Sequence, residues 1–310
     1  MERSEKETYH VPVLLKESVD ALGIRPDGIY VDVTMGGGGH SREILSRLGP
    51  KGRLIAFDQD SDALANAPKD GRLTVVHHNF RYLADYIGYM GVGYVDGVLG
   101  DLGVSSHHFD AAERGFSIRA EGPLDMRMNR EGRVTAADIV ATYDVERLTG
   151  ILATWGEVNQ PKRIAGAIVK ARAEAPIVST TELREVIDRN VPRNDQGKTV
   201  TKVFQALRIE VNREMDALET MLRGAVSVLR PGSGRVVMIA YHSLEDRMVK
   251  NLMRSGDPMK SEPERDAITG DSDTPFEVSQ RKPTVPSSEE IEMNPRARSA
   301  KLRWAERWAK

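Results

Sequence analysis

The chain has 310 residues, 40% of them hydrophobic, which is enough to bury the core of one large domain or two ordinary ones. Its formal net charge of -2 argues against a surface coated in positive charge, so any contact with nucleic acid must come from local basic patches. Zero cysteines exclude disulfides and a cysteine nucleophile, and without a long apolar run or a signal-peptide pattern we expect a cytoplasmic protein with no membrane contact.

The first predicted unit is a strand, a glycine turn and a helix in the stretch GIYVDVTMGGGGHSREILSRLG, residues 28–49. The apolar run from Ile29 to Val33 predicts a buried strand, and apolar residues at helical spacing predict a helix that starts at Ser41. Because a glycine inside a regular element costs roughly 0.5 to 1 kcal/mol against alanine, four in a row indicate a ligand lying against bare backbone at the helix N-terminus. The alternative is a glycine-rich surface loop.

Two acidic residues narrow the class of ligand. Asp32 lies near the end of the first strand, and Asp58 ends a second predicted strand, RLIAFDQD. Asp58 follows the glycines by about 20 residues, the distance at which an acid binds a ribose hydroxyl in doubly wound folds. Ser41 replaces the third glycine of a dinucleotide fingerprint, which favours S-adenosylmethionine, a nucleoside without a pyrophosphate.

Strand and helix patterns then alternate as far as the strand VDGVLG, which predicts an α/β fold with a doubly wound, mostly parallel sheet. Strand patterns are absent from about 114 to 211, where helical patterns follow one another. We therefore predict an inserted all-α domain at 114–211 for substrate recognition, within a discontinuous sheet domain of 1–113 and 212–310.

The sheet pattern returns after the insert. The strand RVVMIAY precedes a helix, HSLEDRMVKNLM, in which Ser243 and Asp246 have capping-box spacing. Residues 254–275 are polar and rich in turn formers, which indicates a mobile loop. The tail from 295 to 310 is predicted to be helical.

Asp101 is the first polar side chain after the fourth predicted strand, and ligands of open parallel sheets bind outside the carboxyl ends of the strands. There it could hold a substrate amine or hydroxyl beside a reactive methyl group. The alternative is that Asp101 caps the following turn.

Eight blocks of the sequence carry a resemblance to a known family. They are DVTMGGGGHS, DLGVSS, RGFS, PLDMRM, RIA, TKVFQALRIEVN, HSLEDR and NPRARSAKLR. In order and spacing the chain resembles the bacterial 16S ribosomal RNA (cytosine-N4)-methyltransferase family. The resemblance implies a class I methyltransferase fold, S-adenosylmethionine as methyl donor, and methylation of the exocyclic N4 of one cytidine, usually position 1402, in the decoding centre of the small ribosomal subunit.

Carried over residue by residue, the resemblance also implies the site. The implied cofactor contacts are Gly38, Gly39, His40, Asp58, Phe80, Asp101 and His108. His108 stands where the family usually has Gln, and Ala240 and Tyr241 stand where Ser and Phe are common.

The chemistry itself supports Asp101 as the catalytic residue. The N4 lone pair of cytosine is delocalised into the ring, so holding N4 in line with the methyl group, at roughly 3 to 3.5 Å, supplies most of the acceleration. A carboxylate that accepts the N–H hydrogen bond then helps the nitrogen to become tetrahedral.

The substrate side needs an aromatic face for an extruded base and cations for phosphates. The candidates are Phe116 (with Phe109 as a second aromatic), Arg114, Arg127, His242, Ser243, and Arg296 and Arg298 of the basic tail. Each has an ordinary alternative: core packing for phenylalanine, ion pairs with Asp110 or Asp125 for the first two arginines, and a helix cap for the HSLED turn.

We expect no metal site, because His77 and His78 would point to opposite faces of a strand and no acidic cluster completes a ligand shell. The expected partner is 16S ribosomal RNA within the small subunit. Rival functions are a methyltransferase for a small molecule or a protein, a nicotinamide-dependent oxidoreductase, and a non-catalytic ribosome-assembly factor.

Overall fold

The computed structural model describes residues 12–103, 111–265, 274–278 and 282–309. The chain divides into two compact units. The first, here called the sheet unit, comprises the described residues of Met1–Gly103 and Ala217–Lys310, and the second, the helical unit, comprises those of Val104–Asp216. The role of the helical unit in substrate recognition stays a prediction.

A single sheet of seven strands organises the sheet unit. The strands are β1 (Ile29–Asp32), β2 (Arg53–Asp58), β3 (Leu73–His77), β4 (Gly97–Asp101), β5 (Arg235–Ala240), β6 (Phe276–Glu277) and β7 (Lys301–Arg307). Their order is β3-β2-β1-β4-β5-β7-β6, with β1 to β5 parallel and β7 antiparallel to both of its neighbours. The predicted α/β class with a mostly parallel, doubly wound sheet is confirmed.

In sequence, helices lie before the first strand and between successive strands. In chain order they are α1 (Leu15–Leu22), α2 (Gly39–Arg47), α3 (Ser61–Leu64), α4 (Leu83–Tyr89), α5 (Ala136–Thr142), α6 (Val145–Thr154), α7 (Pro161–Glu174), α8 (Thr180–Asp188), α9 (Gln196–Asn212), α10 (Glu214–Val228), α11 (Ser243–Ser255) and α12 (Ser288–Met293). Within the described residues, no helix has the length and apolar character that crossing a membrane requires.

The central strands are buried because helices pack on both faces of the sheet, as is usual for parallel strands. Five of the six residues of β5 are buried. Side chains alternate between the faces, and the pairing register places Leu99 beside both Asp32 and Val237 on one face. Two residues further along β4, Asp101 pairs with Ile239 on that same face. The register therefore brings polar side chains together at the carboxyl ends of the strands.

Asp96 connects the amino ends of the strands, at the opposite edge of the sheet. Its side chain is only 4% exposed, and it accepts hydrogen bonds from the Ile29 N–H at 2.8 Å and from Arg230 Nε at 2.6 Å. Arg25 also forms an ion pair with it. Burial opposes ionisation, but the hydrogen bonds from Arg230 and Ile29 outweigh it and lower the pKa of Asp96. The carboxylate therefore ties the starts of β1 and β4 to the segment after α10.

The prediction of a helical tail is wrong. Residues Pro295–Ser299 form one short 3-10 helix, and the chain then enters β7, which pairs with β5 along six residues. Leu302 and Ala305 of β7 are buried. The open edge of β5 offers a full row of backbone hydrogen bonds, and this tertiary pairing overrides the local helical spacing.

The predicted capping pair of α11 is also wrong by one residue. His242 is the N-cap, and its partner is Glu245, whose Oε2 accepts the Tyr241 N–H at 2.8 Å. Asp246 instead binds Arg303 Nε at 2.6 Å and Lys301 Nζ at 3.1 Å. An imidazole nitrogen thus takes the capping position for which the sequence suggested a hydroxyl.

Two other predicted boundaries shift. The helix expected from Ser41 begins two residues earlier, at Gly39. The loop expected from 254 begins only after α11 ends at Ser255. Residues 266–273 of that loop lie outside the described part of the chain. The prediction that the loop is mobile stays a prediction.

The helical unit has a hydrophobic core of its own. It is formed by residues of α5 to α9 and of the segment before them, among them Leu124, Ile139, Leu152, Ile168, Leu183 and Phe204. Capping boxes begin two of its helices, with Thr135 and Asp138 at α5 and with Ser179 and Glu182 at α8. These caps satisfy backbone N–H groups that a helix start would otherwise leave unpaired.

Replacing Asp96 with Asn should lower the free energy of unfolding by about 2 kcal/mol at pH 7, because Arg230 and Arg25 lose their charged partner. The folded-state pKa of Asp96 lies below its unfolded value, so this stabilisation is complete above about pH 4 and is lost as the pH falls through the folded pKa. Denaturant unfolding across this pH range measures the difference. The exposed Asp27, changed to Asn, is the control, and an equal loss in both variants would contradict the assignment.

Candidate functional site

Three glycines of the turn between β1 and α2, Gly36, Gly38 and Gly39, have different neighbours. Gly36 and Gly38 adopt left-handed backbone angles, with φ of 50° and 74°. A Cβ on Gly38 would lie 3.0 Å from the Asn66 carbonyl oxygen, and one on Gly39 would lie 2.1 Å from Pro12 Cγ. A Cβ on Gly36 would meet nothing closer than a backbone oxygen at 4.0 Å. The open space beside the turn therefore lies at Gly36, whereas Gly38 and Gly39 lack side chains because the protein itself packs against them.

Asp58 connects the end of β2 to this turn. One carboxylate oxygen accepts the Gly36 N–H at 2.8 Å, and the other accepts the Asp60 N–H at 2.9 Å. The side chain is half-buried. Both bonds hold the carboxylate at the mouth of the glycine turn, which is the position that the ribose-binding prediction requires.

A buried polar cluster lies beneath the turn. Asp32 accepts hydrogen bonds from Ser41 Oγ at 2.6 Å and from the Thr34 N–H at 3.1 Å, and it is fully buried. Burial raises the pKa of Asp32, against the opposing effect of His40. Burial also lowers the pKa of His40, so its imidazole is neutral at pH 7. His40 Nε2 is buried without a hydrogen-bond partner among the described residues.

Asp101, at the end of β4, is held from two sides. Its backbone N–H donates to Thr34 Oγ1 at 2.6 Å, which links it to the segment after β1. The Tyr241 hydroxyl, from the segment after β5, donates a hydrogen bond to its side chain. The carboxylate of Asp101 also acts electrostatically on Asp32. Asp101 therefore lies at the same edge of the sheet as the glycine turn.

Phe80 occupies the corresponding place after β3. It opens a 3-10 helix, Phe80–Tyr82, that is capped by the Asn79 side chain. Asn79 Nδ2 also donates to Gln59 Oε1 at 2.7 Å, which joins the end of β3 to the end of β2. The side chain of Phe80 is half-buried.

The ends of four parallel strands thus place Gly36, Asp58, Phe80 and Asp101 along one edge of the sheet. The strand order reverses between β1 and β4, and this switch point is where open α/β sheets bind their ligands. Sequence reasoning did not include Gly36, Thr34 or Tyr241. The alternation of β5 continues through Tyr241 and could have indicated that its side chain shares a face with Asp101.

His242 and Ser243 also follow β5, but their contacts are structural. His242 Nδ1 accepts the Glu245 N–H as the cap of α11, and its Nε2 lies 3.0 Å from Glu245 Oε1. Ser243 is the first residue of the helix and is exposed. The helix-cap alternative for this turn is therefore observed, and a contact with RNA stays a prediction.

The helical-unit candidates are occupied by internal contacts. Arg114 is 4% exposed and donates to the carbonyl oxygens of Arg127 and Met128. Arg127 forms an ion pair with Asp125 at 2.6 Å. Phe116 is 3% exposed and belongs to the hydrophobic core of this unit. Arg114 and Phe116 are therefore buried in internal contacts, whereas the Arg127 side chain is 26% exposed. Contact of these residues with RNA stays a prediction.

The remaining candidates divide into two groups. Arg296 and Arg298 lie in the 3-10 helix before β7, and both are exposed. His108 and Phe109 lie outside the described residues. The expectation that His108 takes the place of the family's Gln therefore stays a prediction.

A sequence profile of the MraW methylase family matches residues 7–308. The chain belongs to this family. Ribosomal RNA small subunit methyltransferase H of Bacteroides fragilis is 55% identical over 305 residues, which cover 98% of this chain and 99% of that protein. The protein of the same name from Bacteroides thetaiotaomicron is 56% identical over 307 residues, 99% of this chain and 100% of that protein. The one from Flavobacterium johnsoniae is 50% identical over 299 residues, 96% of this chain and 98% of that protein.

Membership in the MraW methylase family makes this chain a methyltransferase, and it agrees with the resemblance seen in the eight sequence blocks. The match spans both compact units, so neither unit is an addition foreign to the family. Membership in this family argues against two of the rival functions, a nicotinamide-dependent oxidoreductase and a non-catalytic ribosome-assembly factor.

Replacing Gly36 with Ala should weaken the binding of S-adenosylmethionine by about tenfold, which corresponds to about 1.4 kcal/mol. The new methyl group would occupy the open space beside the turn, and the left-handed backbone would be strained by about 1 to 2 kcal/mol. Isothermal titration calorimetry measures the affinity. Gly71 has open surroundings and no left-handed angle, so Gly71→Ala is the control. Unchanged affinity in Gly36→Ala would show that the ligand lies elsewhere.

Proposed function

We propose that this chain transfers the methyl group of S-adenosylmethionine to the exocyclic N4 of a cytidine in 16S ribosomal RNA, within small ribosomal subunits of the cytoplasm. Relatives that are 50 to 56% identical are named ribosomal RNA small subunit methyltransferase H, which supports ribosomal RNA of the small subunit as the substrate. The choice of N4 and of one cytidine, usually position 1402, rests on the sequence resemblance. The observation that carries the proposal is Asp101, a carboxylate fixed beside the glycine turn at the switch point of the sheet.

Three features of the sheet unit fit the methyl donor. A Cβ at Gly36 would meet no heavy atom closer than the Thr34 carbonyl oxygen at 4.0 Å, so the space directly beside the turn is open. A carboxylate has about four acceptor positions, so Asp58 can bind the backbone and ribose hydroxyls together. His40 is neutral, and its buried Nε2 lacks a hydrogen-bond partner within the described chain. We therefore assign Gly36, Asp58 and His40 to this ligand, with Phe80 at the adjacent strand end.

S-adenosylmethionine supplies an activated methyl group on its sulfonium sulfur. The protein's own residues orient the amine and accept the proton that it loses. Asp101 would accept a hydrogen bond from N4–H and so fix the direction of the nitrogen lone pair. The N–H becomes acidic only as the new N–C bond forms, so an ordinary carboxylate is a strong enough acceptor at that stage. Asp101 then receives the proton that the nitrogen loses, and the amine remains neutral.

The function is tested by transfer of labelled methyl from S-adenosylmethionine to small ribosomal subunits that lack the modification. Nucleoside analysis should find the label as N4-methylcytidine, and mapping of the RNA should locate one cytidine. Label in protein, in free nucleosides or in another base would overturn the substrate assignment. Label in N4-methylcytidine at a different position would overturn only the choice of cytidine.

Replacing Asp101 with Asn should reduce turnover by about 100-fold or more, because the amide cannot accept the proton from N4. Affinity for S-adenosylmethionine should stay within a few fold of wild type, since Asn retains the size and polarity of the side chain. Single-turnover kinetics and calorimetry measure the two quantities. Asp85, an exposed residue of α4, provides the control as Asp85→Asn. Wild-type turnover in Asp101→Asn would remove Asp101 from catalysis.

Arg296 and Arg298 are our candidates for binding the RNA backbone, because both side chains are exposed in the basic tail. Lys301 and Arg303 bind Asp246, and Arg307 Nη1 donates to the Leu229 carbonyl oxygen at 2.6 Å. The exposed guanidinium groups of Arg296 and Arg298 can reach the phosphates of RNA.

Changing Arg296 and Arg298 together to Ala should raise the KM for small subunits by about tenfold and reduce its dependence on salt concentration. The kcat and the affinity for S-adenosylmethionine should remain unchanged, because both residues lie outside the proposed methyl-donor site. Lys51 and Arg53 are exposed at the amino end of β2, the opposite edge of the sheet, so the Lys51→Ala/Arg53→Ala protein is the control. An equal KM in both double variants would contradict the assignment.

A further inference from the structure

The contact between Tyr241 and Asp101 has a role beyond packing. We propose that Tyr241 is a positioning residue for methyl transfer, whose hydroxyl holds the Asp101 carboxylate in the orientation that accepts the substrate amine. This inference rests on the proposed function, because it assumes that Asp101 acts on the amine. It concerns a residue at which the chain departs from the pattern of the family that it resembles, where Phe is common.

The pairing of β4 with β5 brings the two side chains together. Asp101 pairs with Ile239, and the Leu102 N–H donates to the Ile239 carbonyl oxygen at 2.9 Å, so the strands stay in register to their ends. Tyr241 lies two residues after Ile239 and therefore points to the same face as Asp101. The backbone N–H of Tyr241 is also fixed, since it donates to Glu245 Oε2 at 2.8 Å.

Gly103 makes room for the aromatic ring. A Cβ at this position would lie 2.6 Å from Cε2 and 3.0 Å from Cζ of Tyr241, so any side chain would displace the ring. The ring also packs against the hydrophobic cluster that contains Ile239 and Leu302. These contacts restrict the ring, and its hydroxyl forms a hydrogen bond with Asp101.

The direction of the hydrogen bond is fixed as well. Burial, followed by the negative charge of Asp101, raises the pKa of Tyr241 far above its ordinary value, and Glu245 and Glu290 add to this effect. The phenol therefore stays protonated and donates its hydrogen bond to the Asp101 carboxylate. A carboxylate has about four acceptor positions, so the bond from Tyr241 leaves capacity for an amine. A carboxylate held at one oxygen cannot rotate its acceptor positions away from the substrate.

The decisive variant is Tyr241→Phe, which removes one oxygen and leaves the ring in place. Loss of a hydrogen bond to a charged group should lower kcat by about tenfold. The KM for small subunits and for S-adenosylmethionine should stay within about twofold, since the proposed contacts of Tyr241 are with Asp101 and not with either substrate. A loss through misfolding would change the melting temperature and both KM values. Tyr89→Phe is the control, because Tyr89 is 88% exposed.

A double-mutant cycle with Asp101→Asn separates positioning from other roles. If Tyr241 acts through Asp101, Tyr241→Phe should cost less than about twofold in kcat when Asp101 is already Asn. A tenfold loss in that background would show that Tyr241 acts independently, and unchanged kcat in the single variant would show that it has no catalytic effect. Either result would overturn the inference while wild-type methylation of N4 stands. Absence of label from wild type would overturn the proposed function and the inference together.

Discussion

The parallel pairing of β1 with β4 is the constraint on which the proposed site depends. It brings Asp32 and Thr34, from one strand end, to Asp101 at the end of the other, although more than sixty residues separate them in sequence. The Asp101 N–H donates a hydrogen bond to Thr34 Oγ1 at 2.6 Å, which closes this junction. Because helices cover both faces of the sheet, the edge formed by the strand ends is where polar side chains can meet a ligand. Asp96 fastens the amino ends of the same strands, so both ends of this pair are fixed by hydrogen bonds.

Local patterns predicted the elements that depend on local physics. Apolar runs and helical spacing indicated β1, β2, β4 and β5, and the position of an acid at a strand end indicated Asp58 and Asp101. The patterns could not assign the four glycines separately, because the roles of Gly38 and Gly39 depend on Asn66 and Pro12, which approach them only in the fold. Likewise, the tail became β7 because β5 had an edge to pair with.

The arginines show a second limit of sequence reasoning. Whether an arginine binds RNA or a neighbouring carbonyl oxygen depends on distances that composition does not contain. Arg114 and Arg127 are used inside the helical unit, and Arg303 is used by Asp246, whose pKa is lowered by Arg303 and Lys301 despite burial. The number of basic residues in a stretch of sequence is therefore larger than the number whose charge is available to a partner. Exposed side chains such as Arg298 have to provide most of the attraction that a mildly acidic protein can offer to RNA.

The insertion of the helical unit between β4 and β5 has a consequence for how the sheet forms. These two strands are neighbours, yet the whole helical unit lies between them in the chain. Their pairing closes a long loop, which carries an entropic cost that grows with the length of flexible chain. The helical unit has a hydrophobic core of its own, and units built from helices tend to fold quickly. If the helical unit folds first, the flexible loop that remains to be closed is much shorter than its sequence length. The contact between Asp101 and Tyr241 then forms late in folding.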